Sequence, residues 1–119
     1  MNMADRVVRI KRVYLDPSED DGKRILVDRL WPRGLTKAKA KVDLWLKDVA
    51  PSNELRKWFV HDPDRWPEFK RRYVAELKAV DKPLILLKQE TRRGAVTLLY
   101  GARDEEHNEA VVLLDLLNK

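Results

Sequence analysis

The sequence predicts an α/β fold, as a single three-layer domain over residues 1–119 in which helices flank a small, mainly parallel sheet. Two observations lead to this prediction. Strand-like apolar segments occur early in the chain and again just before residue 100, and stretches of helical periodicity separate them. Chains with this order of elements usually bury both faces of a largely parallel sheet under helices.

The first third of the chain predicts two strands joined by a turn. Val7–Tyr14 mixes apolar with basic residues, which is typical of a strand with one solvated face. The acidic, turn-forming segment Asp16–Gly22 follows it, and Arg24–Leu30 contains a continuous apolar run that suits a buried strand. Trp31–Gly34 then interrupts the strand, because proline has no amide hydrogen for a ladder and glycine permits a positive φ.

Shorter elements are predicted between residues 36 and 60. Thr36–Lys41 is predicted as a short helix capped by its threonine. Val42–Val49 alternates apolar and polar residues and predicts a third strand, although a helix also fits this segment. A further helix is predicted to begin at Pro51-Ser52, with the serine as its cap.

The clearest helical periodicity lies between Asp64 and Val80. A second helix is predicted from Asp81 to Gly94, followed by a buried strand over Ala95–Tyr100. A last helix is predicted from about Glu105 to Leu117, with Asp104 as its cap. The apolar stripe of the first of these helices is Trp66, Phe69, Tyr73, Leu77 and Val80.

The composition removes several kinds of site from consideration. The chain has no cysteine, which excludes disulfides, thiolate nucleophiles and iron–sulfur clusters. With only His61 and His107 as imidazole ligands we expect no transition-metal site, and no motif points to a cofactor. We find no signal-peptide pattern, and the longest apolar run, Pro83–Leu87, is too short to cross a membrane. We therefore expect a cytoplasmic protein without a membrane partner.

The positive charge is concentrated in the first third of the sequence. The formal net charge is +5 and the pI is about 9.6. Residues 1–41 hold 11 Lys and Arg against 6 Asp and Glu, whereas residues 42–119 hold 14 of each. This asymmetry favours an anionic small molecule or nucleic acid as partner, although an ordinary surface rich in lysine and arginine gives the same numbers.

The segment Asp28–Gly34 is the first candidate site, because it follows a predicted strand. Ligands of open α/β sheets bind outside the carboxyl ends of the strands. Arg29 and Arg33 suit a phosphate or carboxylate, and Trp31 suits stacking on a base. Asp28 is placed to orient an arginine or to accept a proton, and Gly34 permits a tight turn. The alternative is an Asp28–Arg29 ion pair with the tryptophan packed into the core.

Two further polar clusters are candidates. Tyr100 and Arg103 lie between the last strand and the last helix, close to Asn108, where backbone amides favour an anion. An ordinary capped helix is the alternative there, since acidic residues occupy the same turn. His61 next to Asp62 suggests a general base, whereas a role at the entry to the next helix is the alternative.

Four motifs follow one another along the chain. They are Val27-Asp28-Arg29-Leu30-Trp31-Pro32-Arg33-Gly34, Ala50-Pro51-Ser52-x-x-Leu55-Arg56-x-Trp58-Phe59-x-His61-Asp62-Pro63, Phe69-x-x-x-Tyr73-x-x-Glu76-Leu77 and Thr97-Leu98-Leu99-Tyr100-x-Ala102-x-Asp104-x-x-x-Asn108-x-Ala110. Together they resemble the YeaO-like bacterial proteins of unknown function, and the resemblance extends from about Val8 to Leu117. It implies a shared fold and no particular activity.

The resemblance extends to a wider superfamily that often carries three reactive elements near its last helix. These are a cysteine at the end of the last strand, a glutamate two positions later and a Cys-His-Arg motif at the start of the helix. The corresponding positions here are Tyr100, Ala102 and Asn108-Glu109-Ala110. The comparison therefore implies that thiol and histidine chemistry does not carry over to this chain.

Three functions remain open from the sequence. The first is an anion- or phosphate-binding module for a nucleotide, a phosphorylated metabolite or nucleic acid. The second is a hydrolase or transferase for a phosphate- or nucleoside-type substrate, with Asp28 or His61 as the acid–base group. The third is a protein-interaction subunit or homodimer that uses exposed tryptophans. The predicted ligand-binding residues are Arg29, Trp31, Arg33, Gly34, His61, Tyr100, Arg103 and Asn108.

Overall fold

A four-stranded parallel sheet lies at the centre of the fold. The structure is a computed structural model that describes residues 7–118. The strands follow the spatial order β1-β4-β2-β3, and each neighbouring pair is parallel. The prediction of an α/β fold is confirmed. The strands are β1 (Val8–Arg12), β2 (Lys23–Leu26), β3 (Leu44–Trp45) and β4 (Val96–Tyr100).

Five α-helices and three short 3₁₀ turns complete the described part of the chain. The helices are α1 (Lys37–Ala40), α2 (Asn53–Phe59), α3 (Trp66–Ala79), α4 (Lys82–Arg93) and α5 (Glu109–Leu117). The 3₁₀ turns are Glu19–Asp21, Lys47–Val49 and Pro63–Arg65. None of the helices within residues 7–118 is long and apolar enough to cross a membrane.

Alternation along the strands separates two apolar clusters of unequal size. Ile25 and Leu98 face the larger cluster, which contains the buried side chains of α2, α3, α4 and α5. Their neighbours Leu26 and Leu99 face the opposite side of the sheet, where Ala40 of α1 and the adjoining loops cover them. The four longer helices therefore share one side of the sheet, and the loop that contains α1 forms the thinner layer.

The carboxyl ends of β2 and β4 meet at one edge of the sheet. The amide of Val27 still donates to the carbonyl of Leu99 at 3.1 Å, one residue beyond the end of β2. Asp28 follows directly, and Gly101 is the first residue after β4. Parallel strands place both residues at the same edge, which is where ligands bind in open α/β sheets.

The strands are shorter than predicted, and the differences are largest at β2 and β3. Arg24–Leu30 was expected to be extended throughout, but β2 ends at Leu26 and the chain then turns across the edge of the sheet. The third strand predicted over Val42–Val49 is reduced to Leu44–Trp45, because Lys47–Val49 winds into a 3₁₀ turn. β3 pairs only with β2, so its ladder ends where β2 ends.

The last helix begins later than predicted. A start near Glu105 with Asp104 as the cap is wrong, because Asp104 Oδ1 accepts hydrogen bonds from the amides two and three residues ahead, at 2.9 and 3.0 Å, and closes a separate turn. Asn108 is the cap of α5, and its Oδ1 accepts from the amides of Ala110 and Val111 at 2.9 and 3.2 Å. The shift places the first residue of α5 at the carboxyl edge of the sheet.

Helix α3 carries most of its predicted apolar stripe. Phe69, Tyr73 and Leu77 are buried in the larger core cluster, and Trp66 packs against it while half-buried. Val80 was predicted as the last member of the stripe, but it is 68% exposed because the helix ends one residue before it.

Candidate functional site

A pocket of about 650 Å³ opens at the carboxyl edge of the sheet. Small-molecule sites usually have volumes of about 300–1,000 Å³. The walls come from the loops that follow β2 and β4, from α2 and the residues after it, and from the start of α5. Its charged lining residues are Asp28, Arg29, Arg33, Arg56, Lys57 and Glu109.

The pocket brings together residues that the sequence singled out in three separate segments. Asp28, Arg29 and Arg33 come from the loop after β2, and His61 follows α2. Asn108 comes from the segment that precedes α5. The candidate residues thus share one cavity although up to 80 positions separate them in the chain.

Four other predicted ligand-binding residues lie outside the lining of this pocket: Trp31, Gly34, Tyr100 and Arg103. Trp31 Nε1 donates to the carbonyl of Leu35 at 2.7 Å, and its ring packs against the cluster on the thinner side of the sheet. Tyr100 is 2% exposed at the end of β4, whereas Gly34 and Arg103 are exposed. Their part in ligand binding stays a prediction.

Two side-chain hydrogen bonds fix the backbone of the loop after β2. The Trp45 indole donates to the carbonyl of Asp28 at 2.7 Å, and the Tyr14 hydroxyl donates to the carbonyl of Arg33 at 2.9 Å. Both donors come from other segments of the chain. The loop is therefore held in place while the Asp28 and Arg33 side chains reach the pocket, which is the kind of support that binding sites require.

Arg29 connects this loop to the segment before α2. Its Nη2 donates to the carbonyl of Ala50 at 3.2 Å and its Nε to that of Pro51 at 3.4 Å. A guanidinium has five N–H donors, so donors remain for a ligand. The alternative of an Asp28–Arg29 ion pair is wrong, since these two side chains do not pair.

Two carboxyl groups, those of Asp28 and Glu109, form what we call the floor of the pocket. Both residues are half-buried. Asp28 Oδ2 accepts a hydrogen bond from the amide of Gly101 at 2.8 Å, and a Cβ at that glycine would lie 3.0 Å from the same oxygen. The pKa of Glu109 is raised well above its ordinary value, first by burial and then by the hydrogen-bonded and negatively charged Asp28 beside it.

Three exposed cations, Arg33, Arg56 and Lys57, form what we call the rim of the pocket. None of them makes an ion pair with any residue in the range 7–118. Arg56 Nη1 donates to Asn53 Oδ1 at 2.9 Å, which orients the guanidinium without neutralising it. The rim therefore presents cationic donors that lack a carboxylate partner.

The segment after α2 has an unusual backbone at the edge of the pocket. Val60 and His61 have φ values of 42° and 55°, in the left-handed region that non-glycine residues rarely occupy. Such residues are concentrated at functional sites. Asp62, the candidate partner of His61, accepts from the amide of Asp64 at 3.0 Å and caps the following 3₁₀ turn, as the alternative role at the entry to the next helix predicts.

Sequence reasoning missed Glu109, Arg56 and Lys57. In the sequence, Glu109 resembles any acidic residue in the first turn of a helix. Its position after the last strand was the one signal that could have identified it. Arg56 and Lys57 lie on the exposed face of α2, where charged residues are expected on any amphipathic helix. Within residues 7–118, no group of three His, Asp or Glu side chains is arranged to hold a metal ion.

Comparison with known proteins places the chain in a family. Residues 7–119 match the family DUF488-N3i, which is described as an inactive DUF488-N3 subclade. The chain belongs to this family. The sequence is 41% identical to the uncharacterized protein YeaO of Escherichia coli K12, over 92% of this chain and 96% of that protein. It is 47% identical to an uncharacterized protein of Mycobacterium tuberculosis H37Rv, over 93% of each. No solved structure matches.

The resemblance to YeaO-like proteins is thus confirmed. Several positions that the resemblance singled out lie at the pocket of this DUF488-N3i protein. Ala102, Asn108 and Glu109 line the pocket, and Tyr100 is buried at the end of the strand that leads into it. These are positions that the sequence comparison matched to the reactive groups of the wider superfamily.

Proposed function

We propose that this pocket binds a small phosphorylated molecule through its rim cations. The observation that carries the proposal is a cavity of about 650 Å³ with three exposed cations, none of them paired with a carboxylate within the described residues. Arginine forks and a lysine ammonium bind phosphate oxygens through short, charge-assisted hydrogen bonds.

A small molecule fits this geometry better than a nucleic acid. The cationic residues surround a concave cavity, and helix α2 supplies two of them. A polymer backbone instead needs cations along an extended surface. A role in binding a phosphorylated metabolite carries with it the expectation of a cytoplasmic location, which cell fractionation tests.

A second candidate function is acid–base catalysis on a phosphate- or nucleoside-type substrate. The Asp28–Glu109 pair favours it, because a carboxyl group whose pKa is raised beside a second carboxyl group is typical of acid–base sites. The description of the family as inactive favours binding without turnover. Incubation with phosphomonoesters and nucleosides, followed by chromatography, distinguishes the two: product formation that Glu109→Gln abolishes supports catalysis.

Thermal denaturation with added phosphate compounds tests the binding proposal. A ligand present at a hundred times its Kd stabilises a protein by about 2.7 kcal/mol. We expect inorganic phosphate or a phosphomonoester to raise the Tm of the wild type, and Arg56→Ala to abolish the increase. Arg71→Ala is the matched control, because Arg71 is also an exposed helical arginine and is paired with Glu68 outside the pocket.

Two results would contradict the proposal. One is a Tm that no phosphate compound changes at low salt. The other is an increase that survives in a variant carrying both Arg33→Ala and Arg56→Ala. Gel-shift assays with DNA and RNA at rising salt address the polymer alternative, because phosphate-backbone binding weakens steeply with ionic strength.

A further inference from the structure

The charged lining of the pocket is divided by sign and, apart from one residue, by depth. The exception is Arg29, a half-buried cation that donates to the carbonyls of Ala50 and Pro51. The three rim cations are exposed, whereas the two floor carboxyl groups belong to half-buried residues. A bound phosphate accepts hydrogen bonds and carries negative charge, so the carboxyl groups repel it and the rim attracts it. A phosphorylated ligand is thereby oriented, with its phosphate outward and its other end towards the floor.

The floor offers hydrogen-bond acceptors to that other end. Asp28 Oδ2 already accepts from the Gly101 amide, which fixes the carboxylate plane. Burial and the neighbouring Asp28 raise the pKa of Glu109 well above the ordinary glutamate value. A carboxylate has acceptor sites on both oxygens, and the hydrogen bond from one backbone amide leaves several of them for a ligand.

A ligand that displaces solvent from the floor must supply donors to these acceptors. Polar groups that are buried without partners are costly, and a site built to bind N–H groups discriminates strongly against analogues that lack them. A planar carboxylate is matched by two parallel N–H donors, as in a guanidinium or an amidine-like ring edge.

We propose, on the basis of the phosphate-binding function proposed above, that the ligand is a phosphomonoester whose far end presents two adjacent N–H donors to Asp28 and Glu109. A purine nucleotide with a ring N–H and a neighbouring amino group has this chemistry, and the cavity volume is in the range for a molecule of that size.

Calorimetric titration with three probes tests this inference: inorganic phosphate, guanosine 5′-monophosphate (GMP) and inosine 5′-monophosphate (IMP). The two nucleotides differ only by the amino group beside the ring N–H.

A hydrogen bond to a charged partner corresponds to about ten- to a hundredfold in affinity, and we expect GMP to bind more tightly than IMP by that factor. Asp28→Asn is expected to remove the preference, because the asparagine amide places an N–H donor opposite the N–H donors of the ligand. Asp115→Asn is the matched control, since Asp115 is exposed on α5 and does not line the pocket.

The outcomes separate the two proposals. Binding of phosphate together with equal affinities for both nucleotides, or tighter binding of IMP, overturns this inference and leaves phosphate binding standing. Failure of all three probes to bind overturns both. If Asp28→Asn does not fold, as judged by circular dichroism, the ratio of the two nucleotide affinities in the wild type decides the matter.

Discussion

Replacing Glu109 with glutamine removes a carboxyl group whose pKa differs between the folded and the unfolded chain. Burial and the neighbouring Asp28 raise the pKa of Glu109 in the folded protein above the ordinary value of 4.5. Between 4.5 and the raised pKa the folded state keeps a proton that the unfolded state has lost. The stability linked to this proton is therefore fully present below pH 4.5 and is lost as the pH rises through the raised pKa.

The size of the effect follows from proton linkage. For one proton, the free energy of unfolding falls by about 1.4 kcal/mol for each pH unit within that window. Glu109→Gln keeps an amide that still donates to the Asp28 carboxylate, but it no longer titrates. We therefore expect the unfolding free energy of the variant to decline less steeply above pH 4.5 than that of the wild type, by up to this slope.

Urea denaturation at intervals between pH 4.5 and 8, followed by tryptophan fluorescence, measures the two slopes. The two proteins share every other titratable group, so the difference between the curves reports on residue 109. Glu54→Gln is the control, since Glu54 is exposed and lies outside the pocket lining. Parallel curves for the wild type and Glu109→Gln would refute the raised pKa of Glu109.

Two further substitutions test the fold and the support of the site. Arg24→Met removes a buried guanidinium that pairs with Asp21 at 2.5 Å and leaves Lys11, at 3.2 Å, as the remaining ion-pair partner of that carboxylate. Because Lys11 compensates part of the buried charge, we expect a loss towards the lower end of the range of about 3–5 kcal/mol in urea unfolding. A loss below about 1 kcal/mol would contradict this, and Asp21→Asn in the same chain is expected to recover part of it. Gly101→Ala places a Cβ 3.0 Å from Asp28 Oδ2 and is expected to weaken GMP binding in calorimetry. Unchanged affinity for GMP would show that the position of Asp28 does not matter for binding.

The residue pattern of a segment predicted its structure correctly where the conformation that the segment favours is also the one that packs into the core. The stripe at Phe69, Tyr73 and Leu77 gave α3 correctly, because one apolar face at helical spacing has a single way to reach the core. The segment around Leu44 was harder. Its strand exists only where β2 offers a partner, and pairing partners are not visible in a single segment. The cap of α5 was assigned to Asp104 rather than Asn108 because both residue types suit caps, and the loop geometry decides between them.

Part of the candidate site was also predictable from the sequence. The rule that ligands bind at the carboxyl ends of parallel strands identified Asp28 and Arg33 from their place after a strand. It did not identify Arg56, which reaches the pocket from a helix that is distant in sequence. The concentration of charge in residues 1–41 was also an incomplete guide, since two of the three rim cations come from the electrically balanced remainder of the chain.

A nuclear magnetic resonance titration of the ¹⁵N-labelled protein with inorganic phosphate tests the central claim most directly. The phosphate-binding proposal predicts saturable shifts at the Nε–H resonances of Arg33 and Arg56, with backbone changes confined to the loop after β2 and to α2 and the residues that follow it. Unsaturable shifts spread over the basic segment Lys37–Lys41, with Arg33 and Arg56 unaffected, would contradict it.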